Sequence, residues 1–114
     1  MLRFLGLQVR GADNERETLK QLKSAVSQRP QTGVPALRTG LDLLLKTDLR
    51  DRLPDLRVPS LWLYGDRDTL VSSATAHHVR RLQPEARAQV IAGAGHAPFL
   101  SHPAQCLQAL EALA

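Results

Sequence analysis

The stretch Val58-Pro-Ser-Leu-Trp-Leu-Tyr-Gly-Asp-Arg-Asp-Thr-Leu-Val71 narrows the folds open to this chain more than any other. Leu61 to Tyr64 form a short apolar run closed by Pro59 on one side and Gly65 on the other. Such a run reads as a buried strand of a parallel sheet. In open parallel sheets the chemistry sits just beyond the carboxyl ends of the strands, which is where Asp66 and Asp68 fall. Downstream, Val90-Ile91 runs into Gly93-Ala-Gly-His96-Ala-Pro-Phe99 and brings a histidine to a second strand end.

Helical spacing dominates the rest. Residues 1–10 alternate Leu2, Leu5 and Val9 with Arg3 and Arg10, like the tail of an amphipathic helix whose beginning is absent. Asp13 or Asn14 can cap a second helix over about 15–28, with Leu19, Leu22 and Val26 on its apolar face. Gln28-Arg-Pro30-Gln31-Thr-Gly33 is a breaker. A third helix, about 34–47, carries Leu37, Leu41, Leu44 and Leu45. The segment from Asp48 to Pro54 leads into a strand over Val58–Gly65. Ser72 or Ser73 can cap a helix that ends near Leu82, ahead of Pro84. A strand over about Arg87–Ala92 and a last helix, about 102–113, with Leu107, Leu110 and Leu113 packed inward, complete the chain. A boundary is expected near residue 48, between a helical segment over 1–47 and a β-α-β-α segment over 48–114.

Charge follows the same division. Residues 1–47 hold eight Lys/Arg against four acids, whereas residues 48–114 hold seven of each, so the net charge of +4 resides in the helical segment. An excess of that kind suggests an acidic partner. Nucleic acid is disfavoured, because aromatics are few and no recognition motif is present. No apolar run approaches the ~20 residues of a membrane span, and the start is too short in apolar residues for a signal peptide. Cys106 is the sole cysteine, which excludes an internal disulfide and makes a reducing cytoplasm the default setting. No Cys/His cluster has metal-ligand spacing, and no organic cofactor is called for.

Two residues invite chemistry. His96 sits between small neighbours, Gly95 and Ala97, with Pro98 stiffening the loop. A histidine there can act as general base if a second group fixes its tautomer, or it can simply be a hydrogen-bonded loop residue. Asp68 can supply that second group, or cap the turn that follows it; Asp66 is the rival acid. His77, His78 and His102 fit helix positions and read as structural or solvated. None of Ser24, Ser27, Ser60, Ser72, Ser73 and Ser101 lies in Gly-x-Ser-x-Gly, the sharp elbow that exposes a nucleophilic serine.

Together, Gly65-x-x-Asp68-x-Leu-Val71 and Gly95-His96-x-Pro98 resemble the last third of an α/β-hydrolase, where these motifs supply the acid and the base of a Ser-His-Asp triad. That pattern places the acid three residues after the glycine and so prefers Asp68 to Asp66. The resemblance narrows with Arg3-Phe4-Leu5-x-Leu7-Gln8, Gly40-Leu-Asp-Leu-Leu-Leu-Lys-Thr-Asp48-Leu-Arg50 and His96-Ala-Pro-Phe-Leu-Ser-His-Pro103, which look like the pimeloyl-carrier-protein methyl ester esterases of biotin synthesis. The implied fold is the C-terminal portion of an α/β-hydrolase, with residues 1–47 as its helical lid and residues 48–114 as part of its core. The implied partners are an acyl carrier protein with its phosphopantetheine arm and the missing N-terminal part of the hydrolase. By the same resemblance, Arg3, Arg16 and Lys20 engage the carrier and its arm, and Phe4 lines the acyl pocket. Lys20 stands where the family can have arginine, a point charge in place of a bidentate fork. Leu2, Phe4, Leu7, Leu41 and Leu44 would cover the acyl chain. A solvated helix face is the plain alternative for each basic residue. For function, the alternatives are another lidded hydrolase (a lactonase, C–C hydrolase or haloperoxidase-like enzyme) and a non-catalytic basic binding module. Two strands cannot cover themselves, so the isolated chain is expected to be marginally stable or self-associating.

Overall fold

The computed structural model describes residues 2–30 and 32–113. Met1, the side chain of Leu2, and Gln31 of the expected breaker lie outside what is described. The elements are α1 (Leu2–Val9), α2 (Glu15–Ser27), α3 (Val34–Lys46), a 3₁₀ helix (Arg50–Asp55), β1 (Leu61–Gly65), α4 (Thr75–Leu82), β2 (Arg87–Ile91), α5 (Pro98–Ser101) and α6 (Pro103–Glu111).

β1 and β2 pair in parallel, Leu61 opposite Arg87 and Gly65 opposite Ile91. Both strands therefore end at the same level, and the loops that follow emerge side by side. Tyr64, Ala76, Val79, Ala86 and Ala88 form a buried cluster, with Trp62 and Val71 against it, so α4 covers the face that carries Trp62 and Tyr64. By alternation, Leu61 and Leu63 point to the opposite face and are half-buried. Gln83, 2% exposed, ties the end of α4 to the entrance of β1. Its Oε1 accepts Trp62 Nε1–H at 3.3 Å and its Nε2 donates to Ser60 Oγ at 3.3 Å. These bonds satisfy a polar group whose burial would otherwise be costly.

The two helices of the N-terminal hairpin are joined by a tight turn. α1 buries Leu5 and Val9, one helical turn apart, and stops where Gly11 adopts φ +80, the left-handed conformation that glycine takes just past a helix end. Glu15 and Glu17 occupy the first turn of α2, where the helix dipole favours negative charge. Asn14 stands at the N-cap, but its side chain makes no cap hydrogen bond. Instead its Oδ1 accepts from Thr18 Oγ1 at 3.1 Å and its Nδ2 donates to the Ser101 carbonyl at 3.0 Å. α3 opens with Pro35 in its first turn and buries none of its residues.

Several expectations are corrected. β1 begins at Leu61 rather than Val58, which is exposed. α4 starts at Thr75 because Ser72 Oγ accepts the Ala74 amide at 3.3 Å and closes a turn ahead of the helix. The segment before the first strand is helical over Arg50–Asp55, with Arg50 N–H bonded to Asp48 Oδ1 at its start. Helix also appears one turn earlier than expected, over Pro98–Ser101, and His102 links it to α6. In α6 the inward stripe is Cys106 and Ala109, whereas Leu107 and Leu110 are exposed. Small side chains let that helix lie close, and the leucines point away.

Candidate active site

Each catalytic candidate leaves a strand end through a turn closed by backbone bonds. After Gly65, the amides of Asp66 and Arg67 donate to the carbonyls of Ile91 and Ala94 at 3.2 and 3.0 Å, so the loop after β1 is bonded along the loop after β2. The Asp68 amide returns to the Gly65 carbonyl at 3.3 Å. A Cβ on Gly65 would stand 2.2 Å from the Gly95 carbonyl oxygen and 2.3 Å from that of Ala94. Glycine at this position is what permits the two loops to converge.

Their convergence brings Asp68 and His96 together. His96 Nδ1 lies 2.8 Å from Asp68 Oδ2, with the carboxylate 5% exposed and the imidazole 34%. Asp68 Oδ1 meanwhile accepts the amides of Leu70 and Val71 at 2.8 and 3.0 Å. One oxygen caps the turn and the other meets the histidine, so one carboxylate makes both kinds of contact. Burial pushes the Asp68 carboxyl up, but the Val71 and Leu70 amides and the His96 ring outweigh it and leave the group below its ordinary value. A carboxylate facing Nδ1 selects the tautomer with the proton on Nδ1. Nε2 then carries the free lone pair, and among the described residues no side chain hydrogen-bonds it. An oriented imidazole with an available Nε2 can take a proton from a nucleophile and return it to a leaving group.

Asp66, the rival acid, serves the backbone instead. Its Oδ1 accepts the Gly93 amide at 2.8 Å and ties down the loop that carries His96. The backbone of His96 is held from outside the sheet, its amide donating to the Gln8 carbonyl at the end of α1 at 2.9 Å. Sequence reasoning missed Gln8, Asp13, Asp66 and Arg67 as supports. The one local signal was the uninterrupted Asp66-Arg67-Asp68 after the glycine. His77 and His78 are exposed on α4, and His102, partly buried, is hydrogen-bonded through Nδ1 to Ser101 Oγ at 2.8 Å.

The lid candidates lie elsewhere. Arg3 and Phe4 on α1 and Arg16 and Lys20 on α2 are exposed, and among the described residues none of the four hydrogen-bonds Asp68 or His96. Lys20 lines an open groove on α2 with Glu17, Gln21 and Ser24. A larger cleft of about 580 Å³, walled by residues that include Trp62, Tyr64, His78 and Arg81, contains neither Asp68 nor His96.

The Alpha/beta hydrolase family matches residues 3–109. This chain belongs to that family. Among its relatives in the family are pimeloyl-[acyl-carrier protein] methyl ester esterases. Those of Xanthomonas oryzae pv. oryzae and Photobacterium profundum are 46% and 45% identical over 109 residues, covering 96% of this chain and 43% of each relative. That of Aeromonas hydrophila is 39% identical over the same coverage. This chain thus spans less than half the length of those relatives. A solved thermophilic esterase from Thermogutta terrifontis matches at TM-score 0.55 and 31% identity, over 59% of this chain and 25% of its own. An alpha/beta fold hydrolase from Bacillus anthracis, 14% identical, covers 99% of this chain and 46% of its own at TM-score 0.58, a likeness of fold alone.

Proposed function

We propose that this chain is the acid-, base- and lid-bearing part of a serine carboxylesterase that frees the methyl group from pimeloyl-carrier-protein methyl ester. The observation that carries the reading is the 2.8 Å contact between Asp68 and His96 at adjacent strand ends, in a chain 46% identical to an esterase of that name. His96 takes the proton of a serine as it attacks the ester carbonyl and hands it to departing methanol. Water then enters, His96 acts as base again, and the acyl group leaves the serine. Asp68 keeps the ring in the productive tautomer and stabilises the imidazolium.

The serine belongs to the remainder of the hydrolase, since none of this chain's serines stands in a nucleophile elbow. By itself the chain hydrolyses esters negligibly. Arg3, Arg16 and Lys20, exposed on the basic helices, meet the acidic carrier and the phosphodiester of its arm. Phe4, 59% exposed, contacts the acyl chain, and residues 1–47 act as the lid. No described helix is long and apolar enough to cross a membrane, and Cys106 is a buried free thiol, which suits the reducing cytoplasm where a carrier protein would be met.

A chimera tests this reading: the Xanthomonas oryzae relative with this chain in place of the matching stretch. Methanol release from carrier-bound pimeloyl methyl ester, well above that from short free methyl esters, is the expected result. Equal turnover of both would favour a generic lidded hydrolase.

A further inference from the structure

Asp66, Arg67 and Asp68 follow one another at the end of β1, and each bonds a different element. Asp66 holds Gly93, and Asp68 holds His96. Arg67 reaches the other way, to the turn between α1 and α2. Its Nη1 donates to the Gly11 carbonyl at 3.1 Å and to Asp13 Oδ1 at 2.5 Å. Asp13 closes the circuit, since its own amide donates to the Gly93 carbonyl at 2.9 Å, with Oδ2 3.8 Å from His102 Nε2. Gly93 has φ +76, and a Cβ there would come within 2.0 Å of Asp13 Oδ2, so the backbone is shaped for this approach. One turn of the helical hairpin therefore touches the residue beside the acid and the loop that presents the base.

We infer that Asp13 and Arg67 are positioning residues, a clasp through which the α1–α2 turn sets the separation of the loops carrying Asp68 and His96. The inference takes its catalytic meaning from the esterase reading above, but the clasp concerns only the geometry of the pair. With the clasp closed, Gly93 and Arg67 are fixed to one turn, and His96 Nδ1–H keeps donating to Asp68. With it open, the base loop keeps its backbone bonds to Gln8 and Asp13 but loses the side-chain tie through Asp13 to Arg67, and the ring exchanges that proton faster. Both partners are half-exposed, 51% and 58%. Such ion pairs add little to global stability, so variants of either residue are expected to fold.

The test is exchange of the His96 Nδ1 proton with water, read by ¹H–¹⁵N NMR on the 114-residue chain, with melting curves recorded alongside. Asp13→Asn and Arg67→Gln should each speed that exchange by about tenfold with little change in melting, and Arg67→Lys should restore most of the protection. Asn14→Ala removes the bond to Ser101 from the same turn without touching either loop, and should leave the exchange unaltered. Unchanged exchange in Asp13→Asn and Arg67→Gln overturns the clasp. Should Asp13→Asn unfold, Arg67→Gln decides alone, because the Asp13 amide keeps its bond to Gly93 in that variant. An unprotected proton in the unmodified chain would overturn clasp and pair together. Failed turnover in the chimera, by contrast, would sink the esterase reading and leave these exchange rates standing.

Discussion

His96 Nδ1 stands 2.8 Å from Asp68 Oδ2, while Oδ1 of the same carboxylate receives the amides of Leu70 and Val71. The amides hold the carboxylate independently of the histidine, so the imidazole faces an acceptor restrained against rotation. An acid held in this manner orients its base at little further entropic cost.

The pH dependence of stability follows from Asp68. Its carboxyl lies below its ordinary value in the folded chain, so it binds protons less readily folded than unfolded. A depressed carboxyl contributes stability in full above the unfolded value, about 3.9, and loses that contribution as pH falls through the folded value. Asp68→Asn should cost about 1–3 kcal/mol near neutral pH, since buried acceptor sites lose their charge. Below about pH 4 the difference from the unmodified chain should shrink. Urea unfolding at a series of pH values measures this; a cost that grows in acid would contradict it.

Convergence of the two strand-end loops depends on glycine. Gly65→Ala would put a methyl group 2.2 Å from the Gly95 carbonyl oxygen, against backbone that has no rotamer to yield. Gly93→Ala adds strain at φ +76 to a collision with the Asp13 side chain, which can turn aside. Gly65→Ala is therefore the more damaging, with a loss of more than about 3 kcal/mol, and Gly93→Ala costs about 1–3 kcal/mol. Thermal melts of both variants check the order.

α3 presents Leu37, Leu41, Leu44 and Leu45 to solvent, a contiguous apolar surface of the kind that seeks cover. In isolation the chain should associate with itself through this helix. Leu41→Glu combined with Leu44→Glu should shift sedimentation toward monomer while leaving the melting temperature nearly unchanged, since neither side chain is buried. Persistent association of that variant would assign the contact to another surface.

The sheet and its loops were legible because Pro59 and Gly65 bound a short apolar run of the length typical of a buried strand, and because an acid and a histidine each followed a strand end. The helical details were less so. In α6, Leu107 and Leu110 imitate a core stripe, yet the neighbouring stripe of Cys106 and Ala109 is the buried one; spacing alone cannot choose between stripes one residue apart. Ala97-Pro98 looks like a loop, but proline suits the first turn of a helix, and α5 begins there. The link between Arg67 and Asp13 joins residues 54 apart, so no local pattern announces it. Asp68 was read as either cap or acid because sequence offers one role per residue, whereas a carboxylate has two oxygens.

The central claim is that His96 works as a base oriented by Asp68, and it is tested most directly in the chimera with the Xanthomonas oryzae relative. There kcat for carrier-bound methyl ester should fall by about 10⁴ in Asp68→Asn, as expected when the orienting carboxylate of a serine hydrolase is lost, and at least as far in His96→Gln. The unmodified chimera must turn over the ester for comparison. Turnover in Asp68→Asn within a few-fold of the unmodified chimera would contradict the account.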